Sequence, residues 1–460
     1  NELSDESIVF SNTYVTQAVC APARASIMTG LYPHSAGMYR NKLVMPQDRK
    51  TIAEMVSADY RKAYFGKWHL GDEVVRQHGF EQWSSVMDRL TDEYTRPEYK
   101  QLDSDYHQFL LDNGQVPDLE TIHGAIFSDA KRAALPAGLQ ITTFLAGKSE
   151  KFIADNKNSP FVLYASFLEP HPPFTGPYDG LYDPADLPVE PTFLKRPDTS
   201  TLFNRVRSDF FMGKGLTTEE RSMRTDYLAN PTYSGFELND ETSWRRLRAG
   251  YLSNITLVDD AVGRILTAID NAGLKENTIV VFTSEHGDMV GTHGMLEMRN
   301  FYEEAATVPL LIRAPWLCRG QRKIDGNLGQ IDLVPTLLDI LGEPIPAYLQ
   351  GTSRADILQG DGDLNADVFM EHSGIGDRDL GTPRINLLNT LPSRSVVTQD
   401  RWKLNLCAGD QGELYDLNAD PYEEENLFCN PEHRDRIREM AARIRLWQIQ
   451  TGDEVGLPSV

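Results

Sequence analysis

Thr278-Ile-Val-Val-Phe-Thr283 is the stretch that decides how this chain is read. It is short, continuous and rich in β-branched residues, so it fits a strand in a sheet covered on both faces better than one with a wet side. Upstream, Leu247, Tyr251, Ile255, Val258, Val262, Ile265 and Ile269 step by three and four, which predicts an amphipathic helix over residues 244–272, stopped by Gly273. Downstream comes the polar segment Ser284-Glu285-His286-Gly287-Asp288. Phe161-Val-Leu-Tyr-Ala-Ser-Phe167 and Pro309-Leu-Leu-Ile-Arg313 repeat the theme, each running into polar or His-containing sequence, where open α/β sheets place their chemistry. Apolar runs alternating with amphipathic stretches over three quarters of the chain predict an α/β fold, with a large, mostly parallel sheet sandwiched by helices.

From residue 367 the character changes. Ser395-Val-Val-Thr398 and Trp402-Lys-Leu-Asn-Leu406 flank Gln399-Asp400-Arg401 as in a hairpin, Glu413-Leu-Tyr-Asp-Leu417 can add a strand, and residues 433–450 read as a closing helix. The expected division is therefore an α/β domain over 1–366 and a small α+β subdomain with an antiparallel sheet and helix over 367–460. Residues 84–120 and 183–242 are polar and without periodicity, as in long functional loops. The second contains Phe203, Arg205, Arg207, Phe210, Phe211, Arg221, Arg224 and Tyr227, a set suited either to a wall that grips a sugar or to a lid that packs its own aromatics.

The 460 residues carry 45 Lys+Arg against 67 Asp+Glu, a formal charge of −22 that excludes nucleic-acid binding by bulk charge. At 40% hydrophobic and 24% charged the composition is that of an ordinary globular protein, and no apolar run approaches the ~20 residues of a membrane span. Cys20, Cys318, Cys407 and Cys429 form neither a disulfide framework nor a Cys-x-x-Cys pair, although Cys407 and Cys429 could pair in an oxidising compartment. The chain opens at Asn1 with neither Met nor a basic-then-apolar leader, so its natural beginning is expected to lie upstream.

The chemistry is concentrated in Cys20-Ala-Pro-Ala-Arg24-Ala-Ser-Ile-Met-Thr29-Gly30, which follows the strand-like residues 8–15. Pro22 suits a first helical turn. Cys20 would then sit at a helix N-terminus, where free N–H groups favour an oxyanion, and Arg24 adds a fixed positive charge one turn on. This run resembles the signature of the sulfatases, in the alkaline phosphatase superfamily, whose Cys is oxidised to formylglycine. Further segments resemble that family in its own order: Gly66-Lys67-Trp68-His69-Leu70-Gly71, Glu169-Pro-His171-Pro-Pro-Phe174, Phe282-Thr-Ser-Glu285-His286-Gly287-Asp288, Tyr302-Glu-Glu304 with Val308-Pro309, and Gln330-Ile-Asp-Leu-Val-Pro335-Thr-Leu-Leu338.

The resemblance implies roles for these residues. Lys67 binds the sulfate, His69 contacts the formylglycine diol, and His171 is a substrate contact and the leaving-group acid. Glu285, His286 and the modified Cys20 hold calcium or magnesium. One diol hydroxyl attacks sulfur while His171 protonates the departing alcohol; the second, deprotonated with help from His69, expels sulfate. A formylglycine-generating enzyme is the implied maturation partner. Three positions depart from the family. Its first strand ends in paired aspartates that bind the metal, and this chain starts after that point, with Glu2, Asp5 and Glu6 as poor substitutes. Glu285 stands where the family has Asp, and Met298 where it has a sulfate-binding Lys, with Arg299 adjacent as a substitute cation.

The expected activity is hydrolysis of a sulfate ester, on a small molecule or a sulfated oligosaccharide, by a periplasmic or secreted bacterial enzyme. A phosphonate or phosphodiester hydrolase of the same superfamily and a degenerate glycan-binding relative are the alternatives.

Overall fold

The computed structural model describes residues 2–88, 93–229, 236–360, 364–374 and 380–460. Two compact units share the chain: residues 1–41, 189–224 and 279–460 form one, and residues 42–188 with 225–278 form the other. The strands of the α/β part fall, by hydrogen bonding, into a four-stranded sheet in the first unit and a three-stranded parallel sheet in the second.

In the first unit the order is Val280–Thr283, Thr307–Arg313, Ile8–Tyr14, Arg322–Gly329. Thr307–Arg313 runs antiparallel to both of its neighbours, with Ile8 opposite Ile312 and Val280 opposite Arg313. Arg322–Gly329 is parallel to Ile8–Tyr14. Strands Ile8–Tyr14, Val280–Thr283 and Arg322–Gly329 therefore all point the same way, and their C-terminal ends share one edge. Ile8, Phe10, Leu310, Ile312 and Leu328 bury one face of this sheet with Leu333, Ile357 and Leu358. The same unit carries an antiparallel sheet of Val368–His372, Ser393–Val397, Trp402–Cys407 and Glu413–Asp416, and the expected hairpin is its centre. Helix Arg434–Thr451 lays Ile437, Met440, Ala441 and Ile444 on Val396, Leu404, Leu406 and Leu414 of that sheet.

In the second unit Arg61–Gly66 lies between Gln82–Ser84 and Phe161–Ser166. Ala63, Phe65, Phe144, Leu145 and Phe152 pack into its core. The long helix predicted from periodicity spans Glu241–Asn271, started by the Asp240 carboxylate on the Ser243 N–H at 2.8 Å. Of the predicted stripe, Leu247 and Ile269 are buried, Tyr251, Val258, Val262 and Ile265 are half-buried, and Ile255 is exposed; Trp244, Leu257 and Ala261 complete the buried face.

Two expectations need correction. Residues 84–120 and 183–242 are not long structureless loops, since they contain helices Asp105–Asp112, Leu202–Met212 and Thr218–Leu228. Helical periodicity was hidden in Leu202–Met212 because a buried position is an arginine: Arg207 donates to the carbonyls of Met298 and Leu296 at 2.8 and 2.9 Å. Phe210 and Phe211 are buried beside it and Arg224 donates to the Phe211 carbonyl, so Arg207, Phe210, Phe211 and Arg224 pack the protein. Cys407 and Cys429 do not pair; both thiols are free, the first buried and the second exposed.

A buried ion pair closes the C-terminal sheet: the Arg394 guanidinium meets Asp453 through Nε and Nη2 at 2.8 and 2.5 Å. Burial pushes the Asp453 carboxyl up, but the bonds and charge of Arg394, with Gln448 and His34, outweigh it and leave it below its ordinary value. Asp453→Ala strands the guanidinium, and denaturant titration at neutral pH should show a loss of about 3–5 kcal/mol. A carboxyl whose folded pKa is depressed contributes above its unfolded value and loses that contribution as pH falls through the folded one. The gap between wild type and variant should therefore close in acid.

Candidate active site

Strand Ile8–Tyr14 delivers the chain to helix Cys20–Thr29, which begins after an extended Val19 with no side-chain cap. Cys20 is buried at this N-terminus, with Sγ 3.4 Å from His286 Nε2. The ring is held from its other side, Nδ1 lying 2.7 Å from the Gly287 carbonyl. Arg24, one turn into the helix, pairs through Nε with the Glu285 carboxylate, whose other oxygen is 3.3 Å from His286 Nε2. Burial disfavours charge on His286, yet the Cys20 sulfur and the Glu285 carboxylate push its pKa up to about 10.

Glu285 and His286 reach this point because Val280–Thr283 ends at the same sheet edge as Ile8–Tyr14. Gln330, following the third co-directional strand, donates to the Ser284 carbonyl at 2.5 Å and fixes that turn. Gly287 N–H donates to the Ala305 carbonyl at 3.0 Å, and a Cβ at Gly287 would stand 1.9 Å from the Glu304 carbonyl oxygen. Cys20, Glu285 and His286 thus offer a sulfur, a carboxylate and an imidazole whose ligand atoms lie within 4.8 Å of one another. A hard carboxylate and an imidazole suit a divalent cation, and the extra methylene of Glu285 has not removed it from the cluster.

Arg299 is buried and lines a cleft with Gln17, Ala18 and Val19, the residues leading into Cys20. Its N–H donates to the Ala18 carbonyl at 3.1 Å. Met298 packs inward, its carbonyl held by Arg207.

Lys67, His69 and His171 belong to the second unit. Gly66 and Ser166 are register partners at the ends of parallel strands, so both motifs leave the sheet side by side. Lys67 N–H donates to the Ser166 carbonyl at 3.1 Å, and Ser166 Oγ donates back to the Lys67 carbonyl at 2.9 Å. Gly66 has φ +119°, and a Cβ there would lie 1.9 Å from the Ser166 carbonyl oxygen, so only glycine permits this crossing. The Lys67 and His69 side chains are buried, whereas His171 is exposed, its Nδ1 2.8 Å from the Pro172 carbonyl.

The structure adds supports that the motifs did not show. Glu73 accepts the N–H groups of Trp68 and His69 at 2.8 and 2.7 Å, holding His69 at φ +60°. Glu93 lies 3.8 Å from His69 Nε2. Asn41 accepts the Ala21 N–H at 3.0 Å in the first turn of the Cys20 helix. Glu73 alone had a local signal, as an acidic residue four positions after His69 in a loop whose N–H groups need acceptors.

The model of the sulfatase family matches residues 1–343, which include the whole Cys20 cluster and both strand-end motifs. The chain belongs to the sulfatase family. It is a sulfuric ester hydrolase. Residues 291–450 also match the C-terminal model described for N-sulphoglucosamine sulphohydrolase. Among relatives, this sulfatase is 25% identical to the multifunctional alkaline phosphatase superfamily protein PehA of Trinickia caryophylli, over 98% of this chain and 89% of that one. It is 25% identical to an N-acetylglucosamine-6-O-sulfatase of Bacteroides thetaiotaomicron, over 98% and 82%. Its fold superposes on a phosphonate monoester hydrolase from Silicibacter pomeroyi with a TM-score of 0.77 at 23% identity, covering 98% of this chain and 90% of that one.

Replacing Glu73 with Ala leaves two buried N–H groups unmatched and frees His69. Steady-state hydrolysis of 4-nitrophenyl sulfate should fall by about 10- to 100-fold in kcat, with a modest drop in melting temperature. An unchanged kcat would deny Glu73 its positioning role.

Proposed function

We propose that this sulfatase hydrolyses a sulfate ester carried on a carbohydrate, using a formylglycine made from Cys20 and a bound divalent cation. The observation that carries the reading is the cluster of Cys20, Arg24, Glu285 and His286 at one helix N-terminus. The Cys20 sulfur marks where the oxygens of the hydrated aldehyde would stand. Cys20, Glu285 and His286 would hold calcium or magnesium, which supplies a Lewis acid that lowers the pKa of a nucleophilic oxygen and neutralises sulfate charge. Arg24 contributes a fixed guanidinium and the helix its N-terminal dipole, both suited to charge on the transferring group.

The other roles follow the motifs. Lys67 binds the sulfate, with Arg299 in place of the lysine that Met298 has lost. His69 accepts a proton at the nucleophile, and His171 donates one to the departing alcohol. His171 suits that task because it is exposed on a proline-bounded turn, open to an incoming ester. The glycan substrate is supported by the relative named for N-acetylglucosamine 6-O-sulfate, and maturation requires a formylglycine-generating enzyme. The assembled cluster supports catalysis over a degenerate binding role. Hydrolysis of phosphonate or phosphodiester bonds is the second reading, favoured by the likeness to a multifunctional relative. Comparing 4-nitrophenyl sulfate with an aryl phosphonate monoester ranks the two.

Mass spectrometry of the peptide containing Cys20, from protein made with a formylglycine-generating enzyme, should show loss of mass relative to the thiol and reaction with carbonyl reagents. Fully active enzyme that retains an alkylatable Cys20 thiol would end this mechanism.

His171→Ala should slow sugar sulfates, whose leaving alcohols are basic, about 10²- to 10⁴-fold, and activated aryl sulfates far less. Equal losses on the two classes would reject His171 as the leaving-group acid.

A further inference from the structure

Four residues between Met289 and Phe301 hold a left-handed backbone although none is glycine: Val290 at φ +39°, His293 at +49°, Glu297 at +64° and Arg299 at +79°. Branching at Cβ makes this conformation most costly for Val290, and each of the four persists only where its surroundings leave no alternative. The segment leads from the Glu285-His286 pair towards Tyr302. Arg299, the cation assigned to sulfate, stands near its end.

The segment is pinned from two sides, both within the first unit. From within, one Asp288 carboxylate oxygen accepts the N–H groups of Val290 and Glu297, each at 3.1 Å, and the Met289 N–H donates to the Glu297 carbonyl at 3.1 Å. From outside, helix Leu202–Met212 sends in two consecutive side chains. Ser208 Oγ donates to the His293 carbonyl at 2.8 Å. Arg207 donates through Nη1 to the Met298 carbonyl at 2.8 Å and through Nη2 to the Leu296 carbonyl at 2.9 Å, and Nη2 is 3.9 Å from the Glu297 carboxylate. The guanidinium is itself confined. It sits 5.3 and 5.8 Å from the ring centres of Phe203 and Phe211, one turn behind and one turn ahead in the same helix, and Arg207 is only 1% exposed.

The consequence falls on a single peptide group. The carbonyl of the Met298–Arg299 peptide is held by Arg207, and its N–H donates at 3.1 Å to the carbonyl of Ala18, two residues before Cys20. A peptide group is planar, so bonds on its two opposite edges fix its rotation. The ordinary relief for a positive φ is to turn the preceding peptide over, which changes ψ of one residue and φ of the next and displaces the rest of the chain little. Here that turn would break both bonds and bring the Met298 carbonyl to face the Ala18 carbonyl. Relaxation of Arg299 to a negative φ would also change the angle at which its side chain leaves the backbone.

We propose that Arg207 is a positioning residue for sulfate binding: by holding the Met298 carbonyl it locks the 298–299 peptide and so aims Arg299. This rests on the reading of Arg299 as a sulfate-binding cation and deepens it. The task suits a planar fork that reaches two carbonyls at once, which a lysine ammonium cannot do in fixed geometry.

The test uses enzyme matured with a formylglycine-generating enzyme and loaded with its divalent cation. It reads kcat and KM for 4-nitrophenyl sulfate and the inhibition constant of inorganic sulfate in Arg299→Ala, Arg207→Met, Arg207→Lys and the double variants, each checked for fold by circular dichroism and melting. Arg299→Ala should weaken inhibition by sulfate about 10- to 100-fold, as for loss of a charged hydrogen-bonding partner. Arg207→Met should weaken it about five- to tenfold, with part of the loss recovered in Arg207→Lys. Adding either Arg207 substitution to Arg299→Ala should cost no more than about a further twofold, because no side chain is left to aim. Losses that multiply in the double variants overturn the proposal, and so does a lowered melting temperature with sulfate inhibition as in the wild type, the mark of a packing role alone. If Arg207→Met does not fold, Arg207→Lys carries the same comparison against its own double variant. Sulfate inhibition unchanged in Arg299→Ala ends both the assignment of Arg299 and the inference built on it; a loss there with wild-type behaviour in the Arg207 variants ends the inference alone.

Discussion

The first unit depends on the direction of one strand. Thr307–Arg313 is hydrogen-bonded antiparallel to Ile8–Tyr14 on one side and to Val280–Thr283 on the other, and this forces those two strands to run together. Turns at their C-terminal ends must then open on the same edge, so Cys20 and the Glu285-His286 pair meet although 264 residues of chain lie between Cys20 and Glu285. Peptide hydrogen bonds in the sheet, each worth little by itself, hold a sulfur and an imidazole to 3.4 Å because their register cannot slip without turning every core side chain to the wrong face.

Charge has to be controlled around that edge, because a chain of formal charge −22 is a poor lure for an anionic ester. Arg24 lies inside the cluster, tied to Glu285. A second cation, the buried ammonium of Lys403, is spent on structure. It is 2.7 Å from Glu303, 2.8 Å from Glu423 and 2.6 Å from the Phe301 carbonyl, and Tyr14 at the end of the central strand donates to Glu303 at 2.9 Å. Lys403 belongs to the C-terminal antiparallel sheet, so this network rivets that sheet to the segment carrying Arg299 and Phe301. Burial pushes the Glu423 carboxyl well above its ordinary range even with the Lys403 ammonium opposing the rise.

The sequence disclosed those parts in which chemistry and local structure share a short window. The Cys20 motif, the strand-end segments after Phe282 and Ser166, the helix Glu241–Asn271 and the hairpin around Asp400 were all legible, since each rests on spacing within about one turn or one strand. Residues 183–242 were misread because the buried face of Leu202–Met212 includes Arg207, which pairs with carbonyls far away in the chain. The division of the strands between two sheets and the reversed direction of Thr307–Arg313 were hidden for the same reason: strand pairing is a non-local property that no window contains.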